Sequence, residues 1–130
     1  MTGLDTNVLI RYLTQDDESQ FRIVLSLLTK KGAVYFLPDL VLLETNWVLQ
    51  SVYGWSDEDA MDAFERLMTI HNLVFENEAR LRRAIGRWRN GADFHDAWIV
   101  DRCMEQGCGK VATFDKGMAK LHPRSVLLLK

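Results

Sequence analysis

Four acidic side chains stand where a soluble chain gains little from placing charge. Stepping ~100° per residue along the helix that begins near Pro38 puts Glu44 on one face with Leu40, Val41, Trp47 and Val48, while Asn46 and Gln50 point away. The same construction on the helix that starts at Asp93 sets Asp96 beside Ile99, Val100 and Cys103, with Asp101, Arg102 and Glu105 opposite. Both carboxylates are therefore expected to face inward. Burying a lone carboxylate is costly unless it is neutralised, paired or bound to a cation. Asp5 and Asp115 extend the pattern, because each follows a short apolar stretch (Gly3-Leu4 and Val111 to Phe114) and so projects from the C-terminal edge of a strand.

If the four acids converge at one sheet end, their repulsion raises their pKa values and destabilises the fold unless divalent cations intervene. An all-oxygen site suits hard Mg²⁺ or Mn²⁺ and not zinc, which prefers nitrogen and sulfur. Two such ions about 3.5 to 4 Å apart can activate a water and stabilise the leaving oxygen in phosphodiester hydrolysis. Simpler readings stay open. Asp93 and Asp96 also fit a helix-capping pair, Asp5 and Asp115 fit turn or cap acids, and Glu44 fits a buried partner for an arginine.

The elements that must position these acids alternate along the chain. A short strand ending at Gly3-Leu4 turns directly into a helix over about Val8 to Leu13, and an amphipathic helix over Glu18 to Lys31 is closed by Gly32. Ala33 to Leu37, Leu73 to Phe75, Lys110 to Phe114 and Ser125 to Leu129 read as further strands. Helices are expected from Pro38 to before Gly54, from Ser56 to about Met68, over Glu78 to Arg89, over Asp93 to Glu105 and over Lys116 to Leu121. Such alternation predicts a three-layer α/β/α domain, with a central, mostly parallel sheet covered by helices on both faces. With no linker or repeat, residues 1–130 read as a single domain.

Composition narrows the function classes. At 48% hydrophobic and 26% charged residues, with a net charge of −2, the chain is globular and does not grip nucleic acid by overall charge. No apolar run approaches the ~18 residues of a membrane span, and the N-terminus carries an acid where a secretion signal has lysines, so a cytoplasmic protein is expected. Charge is nonetheless segregated. Arg80, Arg82, Arg83, Arg87 and Arg89 fall within ten residues, on a helix whose inward stripe is Leu81, Ile85 and Trp88. They are either a solvated face or an RNA-backbone contact, with Tyr53, Trp55 and Trp88 as available stacking rings. His71, His95 and His122 show no ligand spacing, and Cys103 and Cys108 no zinc pattern.

Leu4-Asp5-Thr6-Asn7-Val8-Leu9, Leu43-Glu44, Asp93-Phe94-His95-Asp96-Ala97-Trp98-Ile99 and Thr113-Phe114-Asp115 resemble, in order, the acidic motifs of PIN-domain proteins. The resemblance is closest to the VapC toxins of bacterial type II toxin-antitoxin pairs and spans nearly the whole chain. It implies a metal-dependent endoribonuclease held inactive by an antitoxin, acting on RNA such as tRNA or rRNA, and a homodimer. Asp5, Glu44, Asp96 and Asp115 match the family's acidic quartet, which holds Mg²⁺ or Mn²⁺. Asn7 and Thr113 match its common polar neighbours, and Asp93 a frequent but less general acid. The resemblance also implies an antitoxin tail presenting a basic side chain to the carboxylates, with apolar helix surface such as Trp47 or Trp98 receiving the rest. Trp98 departs from the family in replacing a smaller aliphatic residue, and its helical position is expected to point outward to an interface.

Two other classes fit less of the pattern. A receiver-type phospho-acceptor domain also gathers acids with a Thr and a Lys, here Thr113 and Lys116 beside Asp115, but its scheme does not draw acids from helices as Glu44 and Asp96 require. A non-catalytic RNA- or partner-binding module with a degenerate site is the other rival.

Overall fold

A computed structural model describes residues 1–130 as two compact units, Met1–Glu76 and Asn77–Lys130. In the first, β1 (Thr2–Gly3), β2 (Tyr35–Leu37) and β3 (Leu73–Phe75) form a parallel sheet in that order. Thr2 is in register with Tyr35, and Tyr35 with Leu73. Four helices accompany it: α1 (Thr6–Thr14), α2 (Glu18–Leu28), α3 (Asp39–Ser51) and α4 (Asp57–Leu67), with α1 against α2 and α3, and α3 against α4. In the second unit, α5 (Glu78–Arg89) packs on α6 (Phe94–Glu105), and α7 (Lys116–Leu121) on the parallel pair β4 (Val111–Thr113) and β5 (Val126–Leu128). Every strand pairing is parallel, as the alternating pattern predicts, with the strands divided between a three-stranded and a two-stranded sheet.

Caps explain where most helices start. Asp17, Ser56, Asn77, Asp93 and Asp115 each accept a hydrogen bond from a backbone N–H three residues on, satisfying donors the helix leaves unpaired. The first unit buries Leu9, Leu37, Leu42, Leu49, Phe64 and Leu67 completely or nearly so. The second has an aromatic centre: Phe94 stacks on Trp88 at 4.6 Å and meets Trp98 edge-on at 5.4 Å. Trp98 is therefore a core residue at 4% exposure, and the outward interface expected of it is wrong. Its large ring completes an apolar trio that a smaller side chain would leave open. No helix is long and apolar enough to cross a membrane.

Candidate functional site

In parallel sheets the C-terminal edge is where loops deliver side chains to a ligand. Asp5 lies two residues beyond β1 and is the N-cap of α1 by position, with extended backbone, yet its carboxylate makes no capping bond. It is exposed and uncommitted. Asn7, in the first turn of α1, opens onto an apolar groove of about 280 Å³ that also includes Val8, Ile23 and Val24. Two further acids, unremarked in the sequence pattern, follow the other strands of this sheet. Asp39 comes two residues after β2 and is buried, and its amide donates to the Glu76 carboxylate, just past β3, at 3.1 Å. The rule that singles out Asp5, an acid just past a strand, would have found both.

Glu44 lies on α3 but not as expected. The buried stripe is Leu42, Thr45, Asn46 and Leu49, which leaves Glu44 exposed, together with Leu40 and Trp47. Asn46, expected to point away, is 1% exposed. Hydrophobic periodicity missed this face because, with the buried Asp39 at its start, three of its five members are polar. Glu44 forms no hydrogen bond or ion pair, so it is an available carboxylate rather than the buried partner of an arginine.

In the second unit three acids interact around the start of α6. Asp93 caps the helix by accepting the Asp96 N–H at 3.0 Å, the capping-pair geometry. Asp115 caps α7 through one oxygen, accepting the Met118 N–H at 3.1 Å, while its own amide donates to the Thr113 hydroxyl at 3.0 Å. Thr113 thus fixes the backbone from which the Asp115 side chain extends. Asp96 is half-buried, and burial, then the negative charges of Asp93 and Asp115, push its carboxyl above the usual carboxylate range; His122 and His95 pull the other way. His122 itself is held below the ordinary histidine value by burial and by Arg87. Its Nε2 is buried without a partner. Sequence reading gave this ring no part in the site, since no spacing links His122 to Asp96. Gly117 is a second omission: a Cβ there would stand 3.2 Å from the Asp115 carboxylate oxygen, so glycine leaves that acid its position.

The arginine cluster is mostly neutralised within the unit. Arg80 is buried at 5% exposure and paired with Glu105 and Asp101. Arg83 grips Asp101 with two hydrogen bonds, at 2.8 and 2.9 Å, and Arg87 approaches the same carboxylate at 3.5 Å. Of the five arginines read as either a solvated face or an RNA-backbone contact, Arg80, Arg83 and Arg87 instead form an ion-pair seam between α5 and α6. Asp101, expected on the outer side of α6, is its buried centre. Three arginines hold the Asp101 carboxyl below the usual range, Arg83 most through its hydrogen bonds. Arg82 is exposed beside Glu78, and Trp88 lies in the core, unable to stack on a base.

The donors fit a hard divalent cation in kind. Asp5 and Glu44 are uncommitted carboxylates, and around Asp96 negative charge accumulates without an arginine or lysine pairing. No three His, Cys, Asp or Glu side chains are already drawn together into a coordination cage. A larger cavity, about 560 Å³ along α4 with Trp55 and Arg66, contains none of the quartet.

Similarity to known proteins extends along the whole length. The VapC ribonuclease of Aquifex aeolicus (strain VF5) is 26% identical over 129 residues, 97% of this chain and 96% of that protein. The PIN domain family model matches residues 4–122, a span that takes in Asp5, Glu44, Asp96 and Asp115, and the chain accordingly belongs to the PIN domain family.

Proposed function

We propose that this chain is a Mg²⁺- or Mn²⁺-dependent endoribonuclease, the toxin of a type II toxin-antitoxin pair, acting in the cytoplasm. The observation that carries the reading is Asp96, a half-buried carboxylate beside Asp93 and Asp115 with no arginine or lysine paired to it, in a PIN-family chain. A fold that places arginines on Asp101 leaves Asp96 beside two further acids, which favours a cation as the missing partner. The likeness to a VapC ribonuclease over nearly the full length of both proteins supports RNA as substrate. Because one family model spans both compact units, we read residues 1–130 as one functional domain.

Asp5, Glu44, Asp96 and Asp115 are assigned as the acids that hold the metal, from their match to the family quartet. A bound divalent ion supplies Lewis-acid stabilisation of the phosphodiester and its leaving oxygen, with water as nucleophile. The chain's own residues do the positioning. Thr113 fixes the Asp115 backbone, Asp93 orients the first turn of α6 beneath Asp96, and Asn7 offers an amide next to Asp5. Of the arginines, Arg82 and Arg89 keep the RNA-contact assignment; Arg80, Arg83 and Arg87 are better described as structural.

A protein partner is supported by apolar surface on the first unit. Leu40 and Trp47, two helical turns apart on α3, are 71% and 60% exposed, and Ile23 rims the groove beside Asn7. We assign these surfaces to the antitoxin and to a second copy of the chain.

The test is cleavage of a mixed tRNA and rRNA pool by antitoxin-free protein in Mg²⁺, Mn²⁺ or EDTA, beside an Asp5→Asn, Asp96→Asn double variant purified identically. Discrete fragments that need metal and vanish in the variant are expected. Equal cutting by both proteins would expose a contaminating nuclease, and RNA bound but uncut by either would move the assignment to a binding module.

A further inference from the structure

Three of the five arginines on α5 are committed to Asp101 and Glu105, and the first unit offers a further cationic surface for an RNA backbone. A cavity of about 440 Å³ opens at the N-terminal edge of its sheet, lined among others by Lys30, Lys31, Gly32, Val34, His71 and Asn72. No carboxylate lines it. Lys30 and Lys31 are exposed and form no ion pair, whereas Arg11 pairs with Asp16 and Arg22 with Glu18.

The walls are fixed before any ligand arrives. The buried Asn72 side-chain amide donates to the carbonyls of Leu28 at 2.8 Å and Ala33 at 3.3 Å, and the Asn72 backbone carbonyl accepts from the Tyr35 N–H at 2.9 Å. The Tyr35 hydroxyl donates to the Leu27 carbonyl at 2.6 Å. Between these ties the chain turns tightly, with the Lys30 N–H bonded to the Leu27 carbonyl, the Ala33 N–H to the Lys30 carbonyl, and Gly32 left-handed at φ +76°. The two lysines are therefore carried on a braced turn, and little backbone ordering entropy remains to oppose a ligand. Lysines just past a helix C-terminus also complement its macrodipole. That accounts for their place on α2 but not for a cavity between them and the His71 loop, whose imidazole brings a further N–H.

We propose that this pocket is an exosite for the phosphodiester backbone of single-stranded RNA, with Lys30 and Lys31 contacting phosphates and His71 completing the donor set. The inference rests on the ribonuclease reading for its choice of polyanion. Asp5 leaves the same sheet at its opposite edge, one strand length or about 10 Å away, so the pocket serves to hold RNA and not to cut it.

The test measures binding of a labelled single-stranded oligoribonucleotide in EDTA across a salt series, with cleavage of the same RNA in Mn²⁺ alongside. The full chain is compared with Lys30→Ala, Lys31→Ala and with an equally charge-reduced control, Arg22→Ala, Arg66→Ala. Each lost phosphate contact lowers the slope of log affinity against log salt by about 0.7, so the lysine variant should fall by about 1.4 and the control should not. Equivalently, between 50 and 200 mM salt the unaltered chain should lose about sevenfold more affinity than the lysine variant. An unchanged slope, an equal fall in the control, or no binding by the unaltered chain overturns the exosite, and cleavage in Mn²⁺ would then still stand for the ribonuclease. The expected fall without any cleavage would keep the exosite and sink the nuclease.

Discussion

Helix α6 carries two acids five residues apart that the fold treats in opposite ways. Asp101, near its middle, is buried, gripped by Arg83 and approached by Arg80 and Arg87, and its carboxyl is held below the ordinary range. Asp96, in its first turn, is half-buried beside Asp93 and Asp115, and its carboxyl is pushed up. The first acid is stabilised by the protein's own cations; the second is opposed by its neighbours and favours a cation from outside. Charges that stabilise a fold and charges that serve chemistry are thus told apart by who neutralises them, not by burial.

The largest expected effect breaks the functional half of this contrast. Asp96→Asn should lower ribonuclease activity by more than the 10- to 100-fold typical of removing a residue behind a ligand, roughly 10³-fold. It should also raise the melting temperature in EDTA, because a repelled charge is gone. Mn²⁺ should then raise the Tm of the original chain much more than that of the variant, since an ion that binds only the folded state stabilises it by mass action. A variant both inactive and less stable in EDTA would place Asp96 with the structural acids.

Asp101→Ala tests the other half. Breaking a buried pair costs about 3 kcal/mol at the low end, fitting here because Arg83 and Arg87 stay partly solvated, and that corresponds to a Tm lower by roughly 10 °C. Activity per folded molecule should not change. If activity were lost while Tm held, Asp101 would be a site residue and the contrast along α6 would collapse.

Acid titration should separate the pair without relying on activity. The folded pKa of Asp101 lies below its unfolded value of 3.8, so its contribution is fully present above pH 3.8 and is lost as pH falls through the depressed folded value. The urea midpoint of the original chain should therefore drop more steeply below about pH 4 than that of Asp101→Asn. Parallel curves would mean that the arginine seam contributes little to stability.

Which acid was which could not be read from the sequence, although most of the frame could. Strand β3, helix α5 and helix α7 begin and end where turn residues and periodicity place them, over Leu73–Phe75, Glu78–Arg89 and Lys116–Leu121. Helix α2 stops at Leu28, three residues short of the expected Lys31, because Thr29 and the turn bonded from Lys30 to Ala33 take over. Faces were harder to read than boundaries. Both misread helices bury a stripe at spacings of three and four: Leu42, Thr45, Asn46 and Leu49 on α3, and Phe94, Ala97, Trp98 and Asp101 on α6. In each, polar members hid the stripe from a count of apolar residues, and the Asp101 partners lie on another helix, which no single-helix construction can include. The local placements of Asp5, Asp96 and Asp115, at a strand end or a helix start, were legible because nearby residues fix them; the neutralisation of Arg80 and Arg83, a tertiary event, was not.

The smallest effect refines the site half of the comparison through a residue with no charge. Gly117 sits inside α7, where alanine would be favoured over glycine by up to about 1 kcal/mol, yet its Cβ would stand 3.2 Å from the Asp115 carboxylate oxygen. The carboxylate would have to shift by a few tenths of an ångström, and its capping bond from the Met118 N–H would shift with it. A displacement of 1 Å can cost 10²-fold in rate, so Gly117→Ala should cost about three- to tenfold in cleavage while Tm stays level or rises. Loss of rate with gained stability would mark Asp115 as an acid whose position matters more than its contribution to the fold, as for Asp96. Unchanged cleavage would mean that the capping oxygen, and Asp115 through it, stands outside the chemistry.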